Sequence, residues 1–283
     1  MGRWFLKYGW RHLVGAAAVV VALFPLVFVA AASVNPSGTL TGSDDLFADP
    51  TADHYRTLFT DPLHPFGSWF ANSMAVGVTT AAGSVFLGAC AAYAFSRFRF
   101  RGRRAGLLGL VFVQLFPQLL AYVAIFLLLS ELKEVFPAIG LGSRLGLVMV
   151  YLGGALGVNT YLMKGFFDTV PKELDESAQI DGASHAQVFF RVLLPLVAPI
   201  LVVVALFSFV ATLNDFVIAG LVLTDPDQQT LAVGLYQLVS YKLGQNWGVF
   251  AAGALIGALP VLVLFQFLQR FIVGGLTSGA VKS

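Results

Sequence analysis

Six long segments that contain no Asp, Glu, Lys or Arg constrain the fold of this chain more than any other feature. They span residues 13–34, 69–96, 105–130, 145–163, 192–214 and 248–269. A helix of roughly 17 to 25 mostly apolar residues crosses about 30 Å of hydrocarbon, and a backbone in lipid must satisfy its own hydrogen bonds. The sequence therefore predicts an all-α, polytopic membrane protein with six transmembrane helices.

Composition supports a membrane-embedded chain. Of the 283 residues, 58% are hydrophobic and 11% are charged, whereas soluble domains carry about 25% charged residues. We expect one transmembrane domain over residues 1–283, with the fifth span continuing to residue 223. The net charge of +2 is too small to indicate nucleic acid binding. The single cysteine, Cys90, has no partner for an intrachain disulfide.

The first span has two interpretations. It follows Arg3, Lys7 and Arg11, as the apolar core of a cleaved signal peptide also follows basic residues. A signal core is about 7 to 15 residues long, whereas this apolar segment covers residues 13–34. We therefore expect a retained helix.

Positive charge is distributed unequally between the two sides that the six spans define. One side collects 13 of the 17 Lys and Arg, and the other has only Arg56, Lys133, Arg144 and Lys242. Loops rich in Lys and Arg stay in the cytoplasm. We therefore expect a multi-pass membrane protein with both termini in the cytoplasm. The basic run at 97–104 is then an orientation signal and an anionic-lipid contact rather than a nucleic acid site.

The longest loop on the basic side, residues 164–191, is unusually polar and has strong helix signals. Pro171 is typical of a first helical turn, with acidic residues following it, and Gly182 suits the left-handed conformation that ends a helix. Ser184 and Gln187 have the spacing of a capping box for a second helix. The pattern predicts a helix, a glycine turn and a helix that continues into the fifth span.

An apolar stripe accompanies the acidic face of the first short helix. Val170, Leu174 and Ala178 recur at helical spacing. An amphipathic helix on the lipid surface would have this pattern, but the anionic cytoplasmic leaflet attracts Lys and Arg and repels an acidic face. A protein partner with a basic, partly apolar cleft fits the pattern better.

This loop resembles the cytoplasmic signature of the permease subunits of ATP-binding-cassette (ABC) importers. The family motif is Glu-Ala-Ala, three residues, Gly, nine residues, Ile, one residue, Leu-Pro. The matching positions are Glu176, Ser177, Ala178, Gly182, Val192, Leu194 and Pro195, with Ser177 replacing Ala and Val192 replacing Ile. The resemblance implies the fold of a type I importer transmembrane domain and makes residues 164–191 a coupling loop that docks on a separate ATPase.

Several partners and site residues follow from the resemblance alone. It implies a location in a bacterial cell membrane, a second homologous permease, a cytoplasmic ABC ATPase dimer that binds ATP and Mg²⁺, and an extracytoplasmic solute-binding protein. The residues implied in ATPase coupling are Glu173, Glu176, Ser177, Ala178, Asp181, Gly182 and Ala183. No cofactor is expected on this chain itself, because it lacks the Gly-x-x-x-x-Gly-Lys-Ser/Thr loop that cradles ATP phosphates.

The flanking segments resemble the carbohydrate branch of this family, of the type of the smaller maltose permease. They include "AYAFSRFRFRGRR", "LNDF" and the ending "QRFIVGGLTSGAVKS". A sugar is therefore the expected substrate. The resemblance further implies an extended tail along the seam between the two ATPases, with Gly275, Thr277, Ser278 and Gly279 in contact, although a tail of this composition is also typical of disorder.

The "LNDF" segment holds the tentative substrate-pathway residues. Asp215 follows a long apolar stretch, and a carboxylate within a membrane usually faces a wet cavity or a bundle interior. Its distance from residue 192, about 35 Å along a continuous helix, would instead place it at the outer interface. Asn214 beside it is a possible partner for sugar hydroxyls. The sequence does not decide between a wet cavity and the outer interface for Asp215.

Other functional classes fit less well. The four histidines are scattered along the chain without metal-ligand spacing, and no catalytic constellation is evident, so we expect neither a metal site nor an enzyme. An ion-coupled secondary transporter often uses several intramembrane ionisable residues. A permease of the same family for a non-sugar solute, such as a polyol or glycerol phosphate, stays open as an alternative.

Overall fold

The computed structural model describes residues 8–37, 47, 49–240 and 246–280, without the side chains of residues 118, 119 and 272–280. Within this part the chain is helical, with no strand. The helices are α1 (Trp10–Val34), α2 (Asp53–Thr60), α3 (Phe66–Arg97), α4 (Arg103–Val113), α5 (Gln118–Val135), α6 (Arg144–Thr169), α7 (Lys172–Ile180), α8 (His185–Leu196), α9 (Ala198–Asn214), α10 (Val217–Val222), α11 (Leu231–Ser240) and α12 (Trp247–Ala280). Residues 1–67 with 234–259 form one compact unit, and residues 68–233 with 260–283 form a second.

The first unit is held together by polar contacts just after α1. The hydroxyls of Ser33 and Tyr55 lie 2.9 Å apart, and His54 Nε2 lies 2.7 Å from the Asn35 carbonyl oxygen. The His54 ring packs directly on Gly248, where any Cβ would collide with it. These contacts fix α2 against the end of α1 and the start of α12. The rest of α1 exposes apolar side chains, as expected for a helix that faces lipid.

In the second unit, a buried polar network ties the start of α3 to the segment before α11. Trp69 Nε1 donates to the Pro226 carbonyl at 2.9 Å. Asn72 Nδ2 donates to the carbonyls of Asp227 and Gln229, and its Oδ1 accepts from Arg144 at 2.7 Å. Because the Trp69 and Asn72 side chains are buried, this network gives partners to polar groups that would be costly to bury alone.

Four of the predicted spans correspond to single helices of the structure. Helices α1, α3, α6 and the 247–271 part of α12 are each long and apolar enough to cross a membrane without interruption. A fifth candidate is the pair α8 and α9, which is bent by 80° near Val197. Pro195 and Pro199 flank this bend, and prolines remove backbone donors there. Pro25 and Pro260, by contrast, lie inside helices that the structure keeps unbroken.

The third predicted span, residues 105–130, is not one helix. It is divided between α4, which ends at Val113, and α5, which begins at Gln118. Pro117 disfavours helical geometry in the residue before it. The Gln114 side chain donates to the Gly154 carbonyl of α6, so the break is joined to a neighbouring helix. The prediction of a continuous third helix was therefore wrong, and six spans in total stay a prediction.

Helices α4 and α6 approach most closely at Gly157. A Cβ at this position would collide with the Leu110 backbone carbonyl and press against Gln114. Gly153, one turn earlier on α6, has open space around its would-be Cβ. Small residues four positions apart allow close approach of membrane helices, but here only Gly157 of the two serves the packing of α4 on α6.

We expect Gly157→Ala to destabilise the protein and Gly153→Ala to leave it unchanged or slightly more stable. Overpacking against a backbone atom costs about 1–3 kcal/mol, whereas alanine at an unhindered helical site gains up to about 1 kcal/mol. Thermal unfolding of the two purified variants in detergent measures the difference. Equal melting temperatures would contradict the packing described for α4 and α6.

Candidate functional site

The coupling loop folds as the sequence predicts. Helix α7 covers Lys172–Ile180 and has acidic residues in its first turn, although Pro171 precedes the helix instead of lying in its first turn. Gly182 has a φ of +86°, the left-handed conformation expected for the turn. Ser184 Oγ accepts from Gln187 N at 3.3 Å, and Gln187 Oε1 accepts from Ser184 N at 2.7 Å. Both halves of the predicted capping box are present.

Helix α7 presents a mixed acidic and apolar face outward. Ile180 is 86% exposed and Leu174 is 43% exposed. Of the predicted coupling residues, Glu173, Glu176, Ser177, Asp181 and Gly182 are exposed, whereas Ala178 and Ala183 are half-buried. The two alanines pack against the core beneath the loop. The structure thus brings the exposed five together on one surface and assigns the alanines to its support.

The core beneath α7 is aromatic. Tyr93 of α3 and Phe189 of α8 have ring centroids 5.1 Å apart, and Phe167 of α6 is stacked on Phe189 at 6.4 Å. Phe98 meets the His185 ring edge-on at 5.5 Å. The rings come from α8, from α6 and from the end of α3, so the aromatic contacts join the coupling loop to α3.

One acidic residue of α7 points inward. Asp175 is only 7% exposed, and its Oδ2 lies 2.5 Å from Arg97 Nε at the end of α3. Sequence reasoning missed this pair, because Arg97 counted only as an orientation signal and Asp175 only as a favourable charge at a helix start. A usable signal was present: Asp175 lies three residues before Ala178, on the side of the helix that carries the apolar stripe.

A cleft of about 200 Å³ opens between these groups. Its lining residues are Tyr93, Arg97, Phe98, Lys172, Asp175, Glu176, Gln179 and His185. The cleft therefore contains both the buried ion pair and the exposed Glu176. Its basic residues are Arg97 and Lys172 and its acidic residues are Asp175 and Glu176, so an incoming chain would meet charges of both signs here.

A second, larger cavity of about 500 Å³ lies between α3, α6 and α9. Its polar lining consists of Thr80, Tyr122, Tyr151, Ser208, Thr212, Asn214 and Asp215. Thr80 is 2% exposed, and its Oγ1 has no hydrogen-bond partner among the described residues. Hydroxyl and amide groups with spare hydrogen-bonding capacity are suited to a ligand that is rich in hydroxyls.

Asp215 and Asn214 lie at a helix break on the wall of this cavity. Helix α9 ends at Asn214, and Asp215 Oδ1 accepts from Ile218 N at 3.0 Å, which caps the start of α10. The continuous fifth span to residue 223 was therefore wrong. Measuring 35 Å along an unbroken helix also does not apply, because α9 ends before Asp215. Both residues line the cavity, although Asn214 Nδ2 is turned back to the Val210 carbonyl.

The predicted extended tail is helical instead. Helix α12 continues to Ala280 and includes Gly275, Thr277, Ser278 and Gly279, whose side chains lie outside the described part. The extended conformation expected for this segment was wrong. Its contact with the seam between two ATPases stays a prediction.

Comparison with known families identifies the chain. Residues 84–277 match the family model described as binding-protein-dependent transport system inner membrane component. The chain belongs to this family. The matched region contains the entire coupling loop, so the resemblance noted at the sequence level is confirmed. As an inner membrane component of a transport system, the chain is a multi-pass membrane protein and a transport subunit rather than an enzyme.

Relatives match over nearly the whole length of this family member. It is 40% identical to the galactooligosaccharides transport system permease protein GanQ of Bacillus subtilis, over 99% of the chain and 97% of the relative. It is 38% identical to the maltose/maltodextrin transport system permease protein MalG of Yersinia pestis, over 96% of the chain and 92% of the relative.

A solved structure shows the same fold. It is described as a bacterial ABC transporter involved in the import of the acidic polysaccharide alginate, and it matches with a TM-score of 0.79 over 95% of this chain and 97% of the other. The sequence identity is 22%, so this comparison bears on the fold alone. The predicted all-α fold of an ABC importer permease is confirmed.

Proposed function

We propose that the chain is one of two permease subunits that form the pathway of an ATP-driven sugar importer. The observation that carries the proposal is the capped coupling loop with its exposed acidic and apolar face. The named relatives, which transport galactooligosaccharides and maltose or maltodextrin, support a sugar as the substrate. A solute-binding protein delivers it from outside, and two copies of a cytoplasmic ATPase bind below, where ATP and Mg²⁺ are held.

The outward face of α7 is suited to a protein partner. Exposed Ile180 is an apolar anchor, and Glu176, four residues before it on the same side of α7, is a carboxylate that a basic cleft would bind. An anionic lipid surface would repel the same face. In the proposed cycle, ATP-driven closure of the ATPases draws the two coupling loops together and opens the pathway outward, and hydrolysis reverses the movement.

Charge reversal of Glu176 tests this docking surface. In a complex of the two permeases and the ATPase, Glu176→Lys should release the ATPase or reduce transport at least 10-fold, because it places two like charges in the contact. Glu134→Lys, which reverses an exposed carboxylate at the end of α5, is the control and should transport normally. Normal transport and full ATPase retention in the Glu176 variant would refute the docking role.

The geometry of the turn provides an independent test. Gly182 and Gly102 both have positive φ angles, +86° and +85°, and a Cβ at either would meet nothing within 4 Å. Alanine costs about 1–2 kcal/mol in this conformation, so both substitutions strain the backbone equally. We expect Gly182→Ala to weaken ATPase retention in the same complex and Gly102→Ala to preserve it.

The polar cavity is the proposed site of sugar passage in this subunit. Thr80, Ser208 and Thr212 supply hydroxyls, and Asp215 supplies a carboxylate that can accept from sugar hydroxyls. A phosphorylated solute would meet the Asp215 charge unfavourably, which favours a neutral sugar over glycerol phosphate.

Thr80→Val should raise the KM of transport about 2- to 10-fold, since it removes one hydrogen bond worth about 0.5–1.5 kcal/mol to a substrate hydroxyl. Thr160→Val is the matched control. Thr160 is fully buried with an equally unpartnered Oγ1, but it is not among the residues that line this cavity. Transport assays over a range of sugar concentrations measure both. An unchanged KM in the Thr80 variant would contradict the proposal that the sugar passes through this cavity.

We further propose that the termini and the coupling loop are cytoplasmic and that residues 35–68 and 224–247 lie outside, which the 13 to 4 division of Lys and Arg supports. In a Cys90→Ser background, an impermeant thiol reagent applied to whole cells should label a cysteine at position 227 and not one at position 184. Asp227 and Ser184 are both exposed. Labelling at position 184 alone would invert the orientation.

A further inference from the structure

The Arg97 guanidinium joins three parts of the second unit. Its Nε lies 2.5 Å from Asp175 Oδ2 in α7. Its Nη2 donates to the Val170 carbonyl at 2.9 Å, at the junction between α6 and α7, and its Nη1 donates to Ser96 Oγ at 3.3 Å. Arg97 is itself the last residue of α3. A single side chain therefore connects the end of α3 with both the start and the middle of the coupling loop.

Burial makes this connection hard to open. The side chains of Arg97 and Asp175 are only 6% and 10% exposed. Arg97 Nε and Asp175 Oδ1 both lack a hydrogen-bond partner among the described residues, so the contact of Nε with Oδ2 is a charge contact in which Arg97 balances this carboxylate. Separating the pair would leave two buried charges uncompensated, which is far more costly than opening an exposed ion pair. The ends of α3 and α7 are thus held to a fixed relative position.

A neighbouring ion pair provides a comparison with Arg97 and Asp175. Lys164 Nζ and Asp168 Oδ2 are also 2.5 Å apart, but both belong to α6 and lie one helical turn from each other. Their side chains are 17% and 42% exposed. Lys164 pairs within its own helix, whereas Asp168 Oδ1 also accepts from Ser96 Oγ of α3 at 2.6 Å. Replacing Lys164 therefore removes an ion pair and leaves this contact between α3 and α6 in place.

We propose that Arg97 and Asp175 are positioning residues that make α3 move together with the coupling loop. The inference rests on the proposed function, in which the ATPase displaces α7. Helix α3 is unbroken from Phe66 to Arg97. Thr80 lies 17 residues before Arg97 on this helix, about 25 Å along its axis. Displacement of α7 would therefore shift the cavity wall that Thr80 contributes, through one buried ion pair and one continuous helix.

The test measures how many ATP molecules are hydrolysed per sugar transported by the purified complex in lipid vesicles. Arg97→Gln and Asp175→Asn each remove one charge and should raise this ratio at least 3-fold while the ATPase stays bound. The double variant Arg97→Gln/Asp175→Asn leaves no lone charge, so it should assemble at least as well as either single variant. Its ratio should stay raised, because a neutral pair restrains the two helices only weakly. Lys164→Gln is the matched control and should keep the wild-type ratio.

A covalent link between positions 97 and 175 distinguishes a role in coupling from a role in folding. In a Cys90→Ser background, cysteines at positions 97 and 175 remove the ion pair, and a short bifunctional thiol reagent then reconnects the same two positions. We expect the unlinked complex to have a raised ratio and the linked complex to return towards the wild-type value. A purely structural role would predict no recovery of the ratio in complexes that are already assembled.

Two results would overturn the inference. One is a wild-type ratio in both single variants while Glu176→Lys still abolishes coupling, which would leave the docking role of the loop intact. The other is an assembled, linked complex whose ratio stays raised. If Glu176→Lys also transports normally, the proposed function itself fails, so the two failures are distinguishable.

Discussion

Within a membrane, a backbone N–H or C=O without a partner costs several kcal/mol, and the arrangement of this chain depends on that constraint. Two helix ends meet it with a polar side chain. Asp215 accepts from Ile218 N in the first turn of α10, and Arg97 donates to Val170 O just after α6. Gln114, just after α4, donates instead to Gly154 O in the middle of α6. Polar residues are thus concentrated where helices stop.

The cost of burying an unpaired polar group also explains why adjacent acidic residues in α7 have different environments. Successive residues of a helix point about 100° apart, so Asp175 and Glu176 cannot face the same way. Asp175 is buried against Arg97, whereas Glu176 is exposed at the edge of the cleft. One carboxylate therefore holds the helix in place, and the other is free to meet a partner. An acidic cluster in the sequence corresponds here to two separate interactions.

The features that were predictable are those that depend on local sequence. Apolar length identified most spans, and the turn at Gly182 and the Ser184 capping box follow from residues only a few positions apart. The helix breaks were harder, because a proline in an apolar run does not by itself end a helix: Pro117 lies at a break, whereas Pro25 and Pro260 lie inside unbroken helices. The Arg97 and Asp175 pair joins residues far apart in sequence, and without the fold no local pattern identifies such a partner.

Helix α3 connects the features of the second unit because it is anchored near both ends. At one end Trp69 and Asn72 bond to the backbone of residues 226–229, and at the other Arg97 is paired with Asp175. The side chains of α3 that form these anchors are buried, and α3 is unbroken between them. In the proposed cycle, a displacement at the coupling loop would therefore reach the cavity and the segment before α11 through the same element, without a chain of side-chain rearrangements between them.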